Sequence, residues 1–379
     1  MLSPLRAAAL PLVLAACSAA PRPAAVLAVL PELAAPRTIR GVVRYEARQP
    51  TAQGTSRAVE ARPARFVEIA AYDAAGARVG ACAADGGGAF TCAVPAVTKS
   101  LGFVAHARND GADVSCTPDP DQRRFHELRV DVPAGAQDLA LTISDADPAG
   151  TGGAFHIVDT VLRGIEAAKR WTGASLPPLV VYWGRGVTTE WSYYRGERPA
   201  GSGRYVLELL GGQRGRHTTT DTDEHDEAII LHEVGHFVMD RLSTNSSPGG
   251  THPSNVLIDP GLAWEEGRAT WFAAAVRRDS RYEDTLGVEP GGSLRVNHDL
   301  EHSGGPRGNG AESSVADVLW DLTDGADGYA DRDRDGVALG PEAVLRAMVD
   351  MNRSDGAFPC LTSFLEFVTA RQTLAGGAT

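Results

Sequence analysis

Ala228-Ile229-Ile230-Leu231-His232-Glu233-Val234-Gly235-His236-Phe237-Val238-Met239 sets an H-E-x-x-H motif inside an apolar run of helical character. Two histidines four residues apart stand one turn apart on the same face of a helix, so both imidazoles can reach a single ion. Zinc takes such nitrogen ligands, and a catalytic zinc site uses three protein ligands and keeps one position for water. The metal draws that water's pKa towards neutrality, and Glu233, between the two ligands in sequence, can accept its proton. The competing explanation is a buried helix whose histidines satisfy each other. It leaves Glu233 as a costly charge within an apolar run.

Further along, Ala263-Trp264-Glu265-Glu266-Gly267-Arg268-Ala269-Thr270-Trp271-Phe272 reads as a second helix with a carboxylate near its start. A Glu there can close a zinc site from a neighbouring helix, although the helix macrodipole alone also favours an acid at that end. The two motifs together resemble the gluzincin metallopeptidases. By that resemblance Glu266, directly before Gly267, is the third zinc ligand, Glu265 is the alternative, and Glu233 is the catalytic base. The longer string is similar to a group of bacterial secreted gluzincin-type proteins: H-E-x-G-H-F, then Gly249-Gly250-Thr251-His252, then W-x-E-G-x-A, then Leu319 to Leu322 as L-W-D-L. That likeness spans roughly residues 154 to 350 and implies Zn2+ as cofactor, a peptide or protein substrate, and hydrolysis by metal-activated water.

The chain departs from the thermolysin-like pattern at Thr270, where those enzymes carry a carboxylate that orients a ligand histidine. The partner of that histidine is therefore expected from elsewhere. The G-A-M-E-N string of the aminopeptidase branch is absent. His252, His298, His302 and Tyr282 are expected to be solvated loop residues, with one of them available to steady an oxyanion.

A formal net charge of −12 over 379 residues argues against nucleic acid or an anionic membrane surface as partner. The hydrophobic content of 43% is enough for the cores of two domains. Met1 to Arg6 and the apolar stretch Ala7 to Ala16 form a secretion signal too short to span a bilayer. It closes on Leu14-Ala15-Ala16-Cys17, which resembles the lipobox of bacterial lipoproteins. That resemblance implies a signal peptide over 1–17, lipidation of Cys17, and a lipid anchor to the membrane. With Ser18 following rather than aspartate, it implies the outer membrane of the cell envelope. Cleavage after Ala20, giving a freely secreted protein, is the alternative. Residues 18–36, rich in Ala and Pro, read as a tether.

Residues 37–145 read as short strands, at Thr38 to Tyr45, Arg65 to Asp73, Ala89 to Val94, Leu101 to Ala107, Glu127 to Val132 and Leu139 to Ser144. Strands at this spacing predict an antiparallel β-sandwich. The order G-V-V, V-x-I-x-A-Y-D-A-x-G, D-G-x-G-x-F is similar to carboxypeptidase regulatory-like, transthyretin-type modules. Cys82 and Cys92 lie symmetrically about Gly87, so a hairpin there would bring them within disulfide reach. Cys116 and Cys360 would then pair by elimination.

Ser144 to Gly153 reads as a linker, and residues 150–379 as the metallopeptidase domain. Phe155, Val158, Val161, Leu162, Ile165, Ala168 and Trp171 fall at helical spacing. Leu179 to Trp183, Trp191 to Arg195 and Tyr205 to Leu210 read as a small sheet whose edge can pair with an extended substrate. Asp226 is placed to cap the metal helix, and Asn309 with Glu312 suggests a capping box for the helix at Leu319. Asp331, Asp333, Asp335, Gly336 and Glu342 match D-x-D-x-D-G-x5-E, the calcium loop of an EF-hand, so bound Ca2+ is expected; a solvated acidic turn is the alternative. The fold class is α+β: the N-terminal β-sandwich followed by a mainly helical, zincin-like domain with a small sheet. A surface binding or adhesion lipoprotein with a structural zinc is the second functional possibility, and the intact Glu233 speaks against it.

Overall fold

In β1 (Arg37–Ala47), Ile39, Val43, Tyr45 and Ala47 turn inward while Arg40 and Arg44 face solvent. That is the two-residue period of a half-buried strand. The computed structural model describes residues 35–376 apart from 134, 188–190, 217–218, 254–255, 288–292, 303, 327, 333, 335 and 355–357. The signal segment, most of the tether and Cys17 lie outside the described residues.

β1 pairs in parallel with β11 (Asp138–Ile143) on one side. Its first half pairs with β7 (Ala89–Val94) and its second half with β4 (Glu60–Pro63), both antiparallel. A larger sheet faces this one. It runs β13 (Tyr193–Glu197), β14 (Tyr205–Glu208), β12 (Leu179–Tyr182), β9 (Ala112–Thr117), β8 (Ser100–Asn109), β5 (Val67–Tyr72), β6 (Arg78–Ala83), and β10 (Glu127–Asp131) also pairs with β8. Phe90 of β7 meets Phe103 of β8 edge-on at 5.7 Å between ring centroids, which fixes the interior between the sheets. A two-residue hairpin, β2 (Pro50–Thr51) with β3 (Gly54–Thr55), and a longer one, β15 (Arg281–Thr285) with β16 (Leu294–Asp299), complete the strands.

The larger sheet passes through the stretch read as a linker boundary. β12 pairs in parallel with both β9 and β14, so strands from before residue 145 and after residue 150 share one ladder. Residues 35–379 group into one compact unit.

The turn around Gly87 departs from the expected hairpin. β6 pairs with β5 and β7 with β1, so the turn crosses between sheets. Cys82 and Cys92 thus face each other across the sandwich, 5.5 Å apart at Cα, a separation that suits a disulfide. Cys116, buried on β9, and Cys360 are free thiols, so the pairing reached by elimination does not form. Elimination assumed that every cysteine of an exported chain is bridged.

α1 (Thr151–Thr172) is buried on almost every side because it lies between the sheets and the later helices. Those are α2 (Glu227–Leu242), α3 (Pro260–Arg277), α4 (Glu312–Asp321), α5 (Gly340–Ser354) and α6 (Leu361–Gly376). α2 and α3 pack most closely. A Cβ on Gly235 would lie 2.9 Å from Cα of Ala269, and one on Gly267 would lie 2.5 Å from Cβ of Val315 in α4. Two glycines therefore let three helix axes converge where the motifs sit. Among the described residues no helix is long and apolar enough to cross a membrane.

The helix starts correct two expectations. Asp226 stands at the N-cap position of α2, and its carbonyl accepts from the Ile230 N–H, but its side chain caps nothing; its carboxylate accepts from the backbone N–H and hydroxyl of Thr285 at 3.0 Å, because β15 passes there. Ala311, not Asn309, is the N-cap of α4. Asn309 accepts from Thr362, and Glu312 faces His252, so no capping box forms. α3 is capped by Asp259, which accepts from Gly261 and Leu262 and is followed by Pro260 at the first helical position. That Asp-Pro signal was readable in the sequence.

Candidate metal centre and its cleft

The apolar residues around the motif bury α2 against α1 and α3, and its histidines emerge where α3 crosses it. His232 Nε2 and His236 Nε2 are 3.0 Å apart, and Glu266 Oε2 from α3 lies 3.2 Å from the first and 3.1 Å from the second. Three ligand atoms thus converge from two helices. Glu266 sits in the second turn of α3 and accepts no helix N–H, so the macrodipole alone does not explain it.

Glu265 is excluded from this cluster by its own partner. Arg268, fully buried, grips both its oxygens and also donates to Ser243 Oγ at 2.6 Å and to the Thr244 carbonyl at 3.2 Å, at the end of α2. Of the two adjacent acids, one locks α3 to α2 and the other faces the histidines.

Thr270, one turn beyond Glu266, supplies what a carboxylate supplies in the thermolysin-like pattern. Its Oγ1 lies 3.1 Å from His232 Nδ1. The expectation that this partner comes from elsewhere is corrected: the hydroxyl is close enough because Gly235 lets α2 approach α3 at Ala269. A His232 that donates from Nδ1 presents a bare Nε2 lone pair to a carboxylate oxygen and to another imidazole. Such a convergence of acceptors suits a cation, and two nitrogens with one oxygen suit zinc.

The electrostatics agree. Burial pushes the Glu266 carboxyl up, but the facing imidazoles outweigh it and hold the group well below its usual range. Burial lowers His236, while Glu266 and Glu233 raise it further, to about 9. Glu233 is raised, chiefly by burial, with the histidines offsetting part of the effect. A raised carboxyl beside these candidate ligands has the character of a general base.

A cleft of about 660 Å³ opens over these residues. β13 forms one wall: Tyr193 and Tyr194 line it, and the backbone of Tyr194 bonds Glu233. β13 is the terminal strand of its sheet, so its outer side is free of a neighbouring strand among the described residues. Two residues expected to be solvated belong to the cleft. Tyr282 on β15 packs against the His232 ring, 5.7 Å between centroids and tilted by 58°, and His252 Nε2 lies 3.6 Å from Glu266 Oε1 while its Nδ1 meets Glu312 at 3.2 Å. The Gly-Gly-Thr-His string marks His252 in the sequence but not its place here, since a strand and a loop bring the two residues in from afar. His298 instead bonds Asp317, and with His302 lines a neighbouring cavity of about 450 Å³.

The acidic loop is only partly described. Asp333 and Asp335 lie outside the described residues. Asp331 accepts from the backbone N–H of Arg334, and Glu342, exposed in the first turn of α5, pairs with Arg346 at 3.0 Å.

The chain matches the family described as Mycolysin C-terminal domain over residues 175–368. The matched stretch contains β13, α2, α3, β15 and α4, and with them every residue placed around the cleft. No curated protein matches the chain.

Proposed function

The chain belongs to the Mycolysin C-terminal domain family, which relates it to metallopeptidases, and from that premise we propose that it is a zinc-dependent peptidase. The observation that carries the proposal is the convergence of His232 Nε2, His236 Nε2 and Glu266 Oε2 beside the buried Glu233, in a cleft with a strand edge along it.

His232, His236 and Glu266 hold the metal, and Thr270 fixes the ring of His232. Zinc in that position supplies Lewis-acid activation of water and of a carbonyl. Glu233 takes the proton from the attacking water and passes it to the leaving amine, work its raised pKa suits. An extended peptide adds to the free side of β13 by main-chain hydrogen bonds. Tyr282 and His252 stand on the cleft where negative charge develops on the substrate oxygen.

Purified protein is expected to hold close to one zinc per chain by elemental analysis. Glu266→Ala should lose most of it. Glu233→Gln should keep it, while hydrolysis of a broad peptide library falls by roughly 100- to 10,000-fold. Wild-type protein that carries zinc and cuts nothing would instead favour a binding protein with a structural zinc.

For location, Leu14-Ala15-Ala16-Cys17 supports a lipid anchor at Cys17. Membrane fractionation with release into detergent, abolished in Cys17→Ala, is the expected outcome. Lipid-free wild-type protein in the medium would show secretion.

A further inference from the structure

Behind the wall of the same cleft, which Asp223, Asp284 and Arg295 line, three aspartates crowd together. Asp221 and Asp223 come from the segment before α2, and Asp284 comes from β15. One carboxylate oxygen of each lies within 4.8 Å of those of the others. We propose that Asp221, Asp223 and Asp284 form a second metal site, for a hard divalent cation of the calcium class.

Crowding of acids alone would not carry this; their buried, unsatisfied oxygens do. Asp223 is 2% exposed and Asp284 7%. One oxygen of each aspartate is occupied: Asp221 by Arg295, Asp223 by the Ser192 hydroxyl, and Asp284 Oδ2 faces Arg295 Nε at 3.9 Å. The other oxygen, Oδ1, is buried in all three and has no hydrogen-bond partner among the described residues. A buried carboxylate oxygen without a partner is costly, and three in one place need a shared counter-charge. Fully ionised, the cluster would set three negative charges against the single positive charge of Arg295, with the buried Asp226 adding to the repulsion. A divalent ion offsets that excess. Oxygens spaced this way suit the ligand distances of roughly 2.3–2.6 Å that calcium prefers.

Burial, with the neighbouring acids second, pushes Asp223 well above its usual range, and burial raises Asp284 to about 7. Without a cation the cluster therefore retains protons near neutrality, and a bound ion would release them.

The site would fasten the substrate-binding wall. Ser192, directly ahead of β13, donates to Asp223 and accepts from the Leu210 N–H at 2.8 Å. Asp284 adjoins Thr285, which bonds Asp226 at the head of the metal helix. One ion thus joins the edge strand, the approach to α2 and the β15–β16 hairpin.

The test uses the zinc-loaded full chain without chelator, titrated with Tb3+ and excited through tryptophan. Trp191 stacks under Arg295, 5.0 Å from its guanidinium, and serves as antenna. The expected result is sensitised luminescence that Ca2+ displaces, with Ca2+ raising the melting temperature by about 5 °C. Asp223→Asn with Asp284→Asn should abolish both effects, yet melt higher than wild type in cation-free buffer because repulsion is removed. Asp331→Asn should retain both effects, which separates this cluster from the loop at 331–342. Equilibrium dialysis of wild type against 45Ca2+ gives a reading that does not depend on the variants folding. Absent dialysis binding, or a Ca2+ increment equal in wild type and the double variant, would overturn the site. So would a preference for cutting beside Lys or Arg that Asp284→Asn removes without any loss of cation binding, since the cluster would then recognise substrate.

Discussion

Glu265 and Glu266 show how much one position along a helix decides. Glu265→Gln should keep zinc but destabilise the protein by about 3 kcal/mol or more, because Arg268 is left buried without its counter-charge. Thermal melting and elemental analysis together check it; loss of zinc with normal stability would exchange the roles of the two acids. Thr270→Val should weaken zinc by about 10- to 100-fold through loss of the His232 contact, and Thr270→Ser should restore most of it. Competition with a chromophoric chelator reads the difference. The histidines and Glu233 were legible in the sequence because their arrangement is local to one helix. Thr270 was not, since a hydroxyl reaches Nδ1 only if two helices approach closely, and nothing in a threonine announces that. Tyr282 and His252 were among four candidates for steadying an oxyanion, but which of them reach the cleft was not legible, because β15 and the loop after α2 carry them in over long sequence separations.

At the level of elements, the crossing of α2 over α3 sets the distances between the proposed ligands. Gly235→Ala would press a methyl onto the Ala269 backbone, 2.9 Å from its Cα, and part the helices. The expected cost is about 1–3 kcal/mol of stability. Because the ligands sit on both helices, zinc affinity should fall with it; an alanine variant with unchanged melting and unchanged zinc binding would show that the contact relaxes freely. The first turn of α2 is held from elsewhere as well. Glu227 pairs with Arg62 of β4 at 2.7 Å and Arg163 of α1 at 2.8 Å. Several strands, among them Ala89 to Val94, were legible from their alternation. β9 was not, since Ala112–Thr117 is buried at nearly every position and lacks the two-residue rhythm.

Across the whole molecule, stability should depend on pH through His106. Hydrogen bonds to Asp113 and Glu68 raise its pKa from 6.5 to about 9, and they lower both acids. A raised histidine stabilises fully below its ordinary value and loses that contribution as pH climbs through the folded one. The lowered acids lose theirs as pH falls below their ordinary range. The triad therefore contributes most near pH 5–6.5, and stability should decline between pH 6.5 and 9 by on the order of 1 kcal/mol after allowance for its partial exposure, read as a falling melting temperature. His106→Gln should flatten that decline; an unchanged slope would assign it to other groups.

The ladder that joins β9 to β12 has one more consequence, for how the chain comes apart. β13, where substrate is expected to dock, is three pairings from β9 and four from β8 in an unbroken sheet. Cut before residue 150, the remaining chain would bare the β12 edge, with the row of unpaired amides that makes strands stick to their like. Proteolytic nicking between the two stretches would thus give adhesive fragments in place of a free-standing enzyme, and loss of activity on heating would coincide with melting of the sandwich.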